Sequence, residues 1–309
     1  MLTHLSARTL LAMTRPGFLV ATLVACALGI AAAAASSGSE HHPLRAVATL
    51  LLAALAHAGA NVLNDYFDDL NGADAANTGR IFPFTGGARL IQQQQVTAPD
   101  TYRYALLLLG MTAAGGIGLT LISGPGLLII GAAGLLIGWT YSAPPLQLMS
   151  RGLGEVAVAL AWSLIVVGAA YVQQQQFDLL PALCAISYGL MAANILIVNG
   201  FPDAASDAQT GKRTLVVRLG PARAALAYGG FALAAHGWLA ALLLQSALPV
   251  GAAWGLLSLP LSLLATLILW RDRDAPQRLT PAILLTIAAA LVHGLGQAIG
   301  LMAMGYGAF

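Results

Sequence analysis

Residues 44–68, LRAVATLLLAALAHAGANVLNDYFD, decide the fold class. From Ala46 to Leu63 the stretch carries no formal charge, and it then ends on Asn64-Asp65-Tyr66-Phe67-Asp68. A helix needs about 20 apolar residues to cross the hydrocarbon core of a bilayer. This one is long enough, and it delivers carboxylates at its end. Acidic groups in or near a bilayer are costly and mark functional sites. A second apolar run ends in the same way, on Asn199-Gly200-Phe201-Pro202-Asp203-Ala204-Ala205-Ser206-Asp207. Both segments carry the spacing Asn-x-x-x-Asp.

The composition agrees with a membrane setting. Of 309 residues, 58% are hydrophobic and 8% are charged, against roughly 25% charged in a soluble domain. That excludes an ordinary globular protein. A net charge of +2 is too small to suggest a nucleic-acid partner, and no obligate protein partner is implied. Cys26 and Cys184 lie inside apolar runs and read as small buried residues. Arg8 and Arg15 precede the first apolar stretch as in a signal peptide. That stretch is long enough to span and more follow it, so the reading is a retained helix.

On length and hydropathy the sequence predicts nine spans, near 14–35, 44–66, 99–122, 126–141, 154–172, 179–200, 222–244, 249–270 and 280–304. The fourth is short and Gly-rich. One set of loops then contains the N-terminus, 67–98, 142–153, 201–221 and 271–279. Counting the adjoining span ends with these loops, Arg103 at the start of the third helix included, this set takes 13 of the 14 basic residues, and the opposite set keeps only Arg45. The positive-inside rule places the first set, the N-terminus and both acidic segments in the cytoplasm. The expected architecture is an all-α, polytopic membrane protein: nine transmembrane helices in one bundle, two pseudo-repeated halves and a cytoplasmic cap. The whole chain 1–309 forms one domain with acidic segments at 64–74 and 199–213. Its expected location is the bacterial inner (plasma) membrane, in contact with membrane lipid.

Side chains at i and i+4 share a helix face, so Asn64 and Asp68 point together, as do Asn199, Asp203 and Asp207. Asp65 lies about 100° from Asn64. Asp74 follows Gly72, which permits the chain to turn back towards the same pocket. Six of the 12 acidic residues fall in these two segments. Clustered carboxylates repel unless compensated, and hard oxygen ligands of this kind suit Mg²⁺, which usually arrives with a phosphate-bearing substrate. The metal candidates are Asp65, Asp68, Asp74, Asp203 and Asp207. Asp69, Asp272 and Asp274 read as a solvated rim.

Gly211-Lys212-Arg213-Thr214-Leu215 continues the second segment, and Lys212 is the only lysine. Lys212 and Arg213 suit phosphate oxygens, although they also serve as topology signals. Arg80 and Arg89 flank Thr85-Gly86-Gly87, where phosphate contact and plain flexible loop are both open readings. Tyr141-Ser142-Ala143-Pro144-Pro145 stops the fourth helix. Tyr141 is either an interfacial belt residue or an aromatic wall for a substrate or cation. Glu155 is expected to pair with Arg151. His57, His236 and His293 have no partner at metal spacing and read as packing or hydrogen-bonding groups. The runs Gln92–Gln95 and Gln173–Gln176 read as solvated loop. The contrasting class is a secondary transporter, which usually needs helices broken near the midplane.

These segments resemble the UbiA superfamily of intramembrane prenyltransferases, over nearly the whole chain. Asn64-Asp65-Tyr66-Phe67-Asp68 is similar to its Asn-Asp-x-x-Asp signature, and Asp203-x-x-x-Asp207 to its second acidic box. A finer resemblance, to the branch acting on 1,4-dihydroxy-2-naphthoate, rests on Asn71-Gly72-Ala73-Asp74, Arg151-Gly152-Leu153-Gly154-Glu155 and Gly211 to Gly220. Two departures stand out: Gly72 occupies the position four residues after Asp68, and Phe201-Pro202 differs from many members. The resemblance implies Mg²⁺-dependent transfer of a polyprenyl group from polyprenyl diphosphate to an aromatic acceptor. With the naphthoate, the ring carboxyl would leave as CO₂, giving a demethylmenaquinone. Other acceptors, such as 4-hydroxybenzoate or homogentisate, are the alternative. The implied catalytic set is Asp65, Asp68, Asp203, Asp207, Lys212 and Tyr141. The implied substrate contacts are Asn64, Asn199, Arg80, Arg89, Arg151, Arg213 and Tyr66.

Overall fold

A computed structural model describes residues 5–37 and 42–305 and, within them, contains helices and no strands. The α-helices are α1 (Ala7–Met13), α2 (Pro16–Ser37), α3 (Pro43–Leu70), α4 (Ala73–Ala76), α5 (Ala98–Ser123) and α6 (Gly126–Ser142). They continue as α7 (Gly154–Gln174), α8 (Leu179–Gln209), α9 (Leu215–Leu244), α10 (Leu259–Asp272) and α11 (Thr280–Gly305). Three 3₁₀ segments, Leu148–Arg151, Val250–Ser258 and Pro276–Arg278, join them.

Local chemistry sets several boundaries. Ser6 accepts a hydrogen bond from the Thr9 amide, Thr97 from Asp100 and Asp178 from Leu180, each supplying an N-terminal cap. Pro43 opens α3 at a position where its missing N–H costs nothing. Gly72, at φ 78°, turns the chain between α3 and α4. Gly220, at φ 72°, breaks α9 just before Pro221, close to the expected start at 222. The acidic ends differ from expectation in one respect: α3 runs on to Leu70, and α8 runs through Pro202 to Gln209. Asp203 and Asp207 are therefore helical residues rather than loop residues, which keeps them one turn apart on one face. Pro202 removes one bond from the α8 ladder, leaving the Val198 carbonyl short of its usual partner.

Among the described residues, eight helical segments are long and apolar enough to cross a membrane. The ninth expected span, α6, has 17 residues, about 25 Å of helix against a core of about 30 Å. The expected eighth span is the 3₁₀ segment Val250–Ser258 continued by α10. Backbone contact explains the irregular start: a Cβ at Gly300 would lie 1.9 Å from the Gly251 carbonyl oxygen, and one at Gly296 2.4 Å from that of Trp254. Small residues permit such approach between helices.

Each long helix touches the next in chain order, and α11 returns to α2, so the helices close into a ring. Inside it, α2 also packs on α7 and α8, and α3 on α7. Outward-facing Leu121, Ile129, Leu233 and Leu267 are exposed, as a lipid-facing surface requires. At the end of the bundle remote from the acids, the second Gln run has a structural task. Gln173 accepts from the His42 amide at 3.1 Å, and Gln174 donates to the Ala33 carbonyl at 3.1 Å and to Ser36. It ties the end of α7 to the ends of α2 and α3. In the first run, Gln92 donates to Asp69 at 3.0 Å, so Asp69 is held rather than free at the rim.

Candidate active site

The ends of α3 and α8 meet. Lys212, on the short link after α8, places Nζ 2.9 Å from Asp68 and 3.2 Å from Asp207. Asp68 also accepts from Asn64 at 3.1 Å and from Asn71 at 3.2 Å. Asn64 reaches across to the Ser142 hydroxyl at 3.2 Å, tying α3 to the end of α6. Asp203 accepts from Asn77 at 2.6 Å and from the Gly86 amide at 3.3 Å. Asp65 is ion-paired with Arg15, on the link between α1 and α2, and accepts from the Ala88 amide at 3.4 Å.

The loop after α4 closes over these acids. Gly86 and Gly87 adopt φ of 70° and 68°, conformations that favour glycine. A Cβ at Gly87 would lie 2.6 Å from Asp74 Oδ2 and 3.0 Å from Asp65 Oδ1. Asp74 Oδ2 is buried without a hydrogen-bond partner. Burial pushes the Asp74 carboxyl up to about 7, and the Asp68 charge adds to it. For Lys212, burial works against the charged form, but Asp68 and Asp207 outweigh it and hold the ammonium above its ordinary range.

A cavity of about 310 Å³ opens beneath these groups. Of the residues expected from sequence, Asn64, Asp68, Asp74, Tyr141, Asn199, Asp203, Asp207 and Lys212 line it. The Asn199 Oδ1 atom is buried without a partner. Six other expected residues do not line the cavity. Asp65 is one, turned to Arg15 and the Ala88 amide beside it. Tyr66 packs its ring against Tyr102 and Phe67, with centroids 4.8 and 5.0 Å away. Arg80 lies over Phe82 at 5.4 Å, and burial and the neighbouring Arg89 lower its guanidinium from the ordinary value. Arg89 donates to the Asn77 carbonyl at 2.7 Å. Arg213 is exposed, and its amide donates to the Ser150 carbonyl at 2.9 Å. Arg151 donates to the Pro145 carbonyl at 2.8 Å, so the expected Arg151–Glu155 pair does not form; Glu155 is buried and lines the cavity instead.

Two polar cavity residues, Arg15 and Asn77, were not among the expected site residues. The Arg-Pro junction that closes one short helix and opens the next was the available signal for Arg15; Asn77 carried none. His57 also lines the cavity, and it makes the expected interhelical contacts, a hydrogen bond with Thr22 at 2.7 Å and an edge contact with Trp162.

Among the described residues, no three His, Cys, Asp or Glu side chains converge tightly enough to enclose an ion. The donor set nevertheless fits Mg²⁺. That ion keeps several waters and binds through one or two carboxylates together with substrate phosphates, rather than in an all-protein cage. Carboxylates spread around one cavity, one of them with an unpartnered oxygen at Asp74, match that mode.

This architecture and site define a class: the chain belongs to the UbiA prenyltransferase family, whose model matches residues 18–288, and it is a prenyltransferase rather than a transporter. It is 30% identical to the 1,4-dihydroxy-2-naphthoate octaprenyltransferase of Mycobacterium leprae over 82% of this chain and 83% of that one. A UbiA homolog from Archaeoglobus fulgidus superposes with a TM-score of 0.66 at 17% identity, over 95% of this chain and 98% of that one. The same homolog bound to GPP and Mg²⁺ superposes at 0.63 and 16% identity, over 93% and 99%.

Proposed function

We propose that the protein transfers a polyprenyl group from polyprenyl diphosphate to 1,4-dihydroxy-2-naphthoate, with loss of the ring carboxyl as CO₂, giving a demethylmenaquinol, the reduced form of a demethylmenaquinone, for menaquinone synthesis. The observation that carries this reading is the convergence of Asp68, Asp74, Asp203 and Asp207 around Lys212 at the head of one cavity. The naphthoate acceptor is supported by the name of the M. leprae relative, and the metal by the Mg²⁺ and GPP in the A. fulgidus structure.

Asp65, Asp68, Asp74, Asp203 and Asp207 are the residues that would hold Mg²⁺. When bound, it would neutralise the diphosphate and improve it as a leaving group. Lys212 and Arg15 contribute fixed positive charge where the departing oxygens gain negative charge. Asn64 and Asn199 orient the head group by hydrogen bonding. The cavity continues between Ala56, Ala161, Trp162 and Ile165, an apolar wall suited to an isoprenoid tail and poor in water. Tyr141 presents a ring on the same cavity, where its face can stabilise an allylic cation. Arg80 and Arg89 hold the glycine loop closed over the acids.

In this reading α6 completes nine spans, in two halves that each deliver one acidic helix end. The loops that, with their adjoining span ends, carry 13 of 14 basic residues form a cytoplasmic cap on the inner membrane. The test uses purified protein, Mg²⁺, one polyprenyl diphosphate and a panel of aromatic acceptors. Naphthoate-dependent release of diphosphate and CO₂ is expected. Preference for a hydroxybenzoate would reassign the acceptor, and no turnover with any aromatic acceptor would overturn the reading.

A further inference from the structure

One acid in the cavity has no task in the reaction described above. Glu155 is the second residue of α7, 5% exposed, and it lines the same cavity as Asp68 and Asp207. The aspartates of the two acidic segments that line this cavity or border it are mostly partnered. Asp65 has Arg15, Asp68 and Asp207 share Lys212, and Asp203 has Asn77. Glu155 shows no ion pair and no hydrogen bond to another side chain among the described residues; only its own backbone N–H assists it. Asp74 has one buried oxygen, Oδ2, without a partner, and it sits against Gly87, on the side of the metal candidates.

The position of Glu155 is distinctive. Val158, Trp162 and Ile165 follow it at helical spacing and line the same cavity. Glu155 is therefore the single carboxylate at the top of an otherwise apolar wall. Its neighbour Gly154 lies against the Tyr141 ring, 3.6 Å from a Cβ placed there. With a diphosphate head held by the aspartates, the hydrocarbon tail would run along this wall, which would put the new carbon–carbon bond near Glu155. A buried carboxylate without a partner is costly, and the α7 N-terminus offsets only part of that cost. A hydroxyl-bearing ligand would satisfy it.

Resting on the prenyl-transfer reading, we propose that Glu155 is the general base for the aromatic acceptor. The allylic C–O bond breaks with its electron pair leaving on the diphosphate. The ring carbon forms its bond to the allylic carbon while the ring hydroxyl becomes a carbonyl, and its proton passes to the Glu155 carboxylate. Loss of CO₂ from the substituted carbon returns an electron pair to the ring, and Glu155 gives the proton back to the oxygen. No net proton is consumed.

The test is Glu155→Gln in the full-length protein, assayed with Mg²⁺, a polyprenyl diphosphate and hydroxynaphthoates of graded hydroxyl acidity. Acceptor prenylation should fall by about 100-fold or more, and the loss should shrink as the acceptor hydroxyl becomes more acidic. Mg²⁺-dependent binding of the prenyl diphosphate should stay within twofold of the parent. Glu155→Asp should recover part of the rate, and it carries the same test if the Gln variant does not fold. Turnover within threefold of the parent, or an equal loss at every acceptor acidity, overturns the assignment while leaving the prenyl-transfer reading intact. Absence of turnover in the parent with every acceptor would instead remove that reading.

Discussion

Asp68 at the end of α3 and Asp207 at the end of α8 share one ammonium group, that of Lys212, at 2.9 and 3.2 Å. The two acids are far apart in sequence, so this contact closes the first half of the bundle onto the second. It also explains how two buried carboxylates tolerate each other: a single buried cation lies between them. Arg15 does the same for Asp65, and Asn77 donates to Asp203. The site thus carries its own counter-charges, drawn from residues that also suit phosphate oxygens.

Removing that cation isolates two buried negative charges. Lys212→Met should lower stability in EDTA by about 3–5 kcal/mol, the usual cost of breaking a buried pair from one side. Denaturant unfolding in detergent reads the loss. Adding Mg²⁺ and inorganic diphosphate should recover part of it, because the ion takes over the neutralising role. Undiminished stability in EDTA would contradict the shared-cation account.

The acids themselves should matter for turnover more than for folding. Asp68→Ala and Asp203→Ala should each reduce kcat/KM by at least about 100-fold, equivalent to roughly 3 kcal/mol of barrier. Unfolding curves should show that both variants remain folded. Activity within threefold of the parent in either one would remove that residue from the metal set.

The glycine loop offers a sharper probe of geometry. Gly87→Ala introduces a Cβ 2.6 Å from Asp74 Oδ2 at a backbone φ of 68°. Either the loop lifts or Asp74 moves. The backbone strain alone is about 1–2 kcal/mol. Mg²⁺-dependent binding of a prenyl diphosphate analogue, measured by calorimetry, should weaken more than tenfold. Gly211→Ala is the control, since φ there is 80° but no atom lies within 4 Å of its Cβ position.

Much of the bundle was legible in the sequence because hydrophobic length and charge placement act locally. The run before Asn64 announces its own helix, and the i, i+4 spacing of Asn64 and Asp68 announces a shared face. The first residues of α8 past Asn199 were harder to read, because Pro202 normally argues for an end and here does not supply one. The 3₁₀ start of the eighth span depends on Gly296 and Gly300 of a distant helix, so no local pattern encodes it. Within the site, the acids stand out against an apolar background, whereas Arg15 and Asn77 resemble ordinary loop residues until the fold brings them to the cavity. Glu155 shows the same limit. Sequence proximity suggested Arg151 as its partner, but Arg151 turns outward to Pro145 and leaves the glutamate facing the cavity.

That contrast between two arginines gives the last prediction. Arg15 and Arg151 both fall in the basic loops and serve topology equally well by sequence. In the fold, Arg15 lines the cavity and pairs with Asp65, while Arg151 is exposed and bonded to a carbonyl. Arg15→Gln should raise KM for the prenyl diphosphate by about tenfold, since a charge-assisted contact contributes roughly 1.5 kcal/mol. Arg151→Gln should stay within threefold on both kcat and KM, because an exposed polar contact contributes little. Steady-state kinetics with the prenyl diphosphate as the varied substrate separates them. Equal effects at the two positions would mean that charge on the loops, rather than the cavity contact of Arg15, governs binding of the diphosphate.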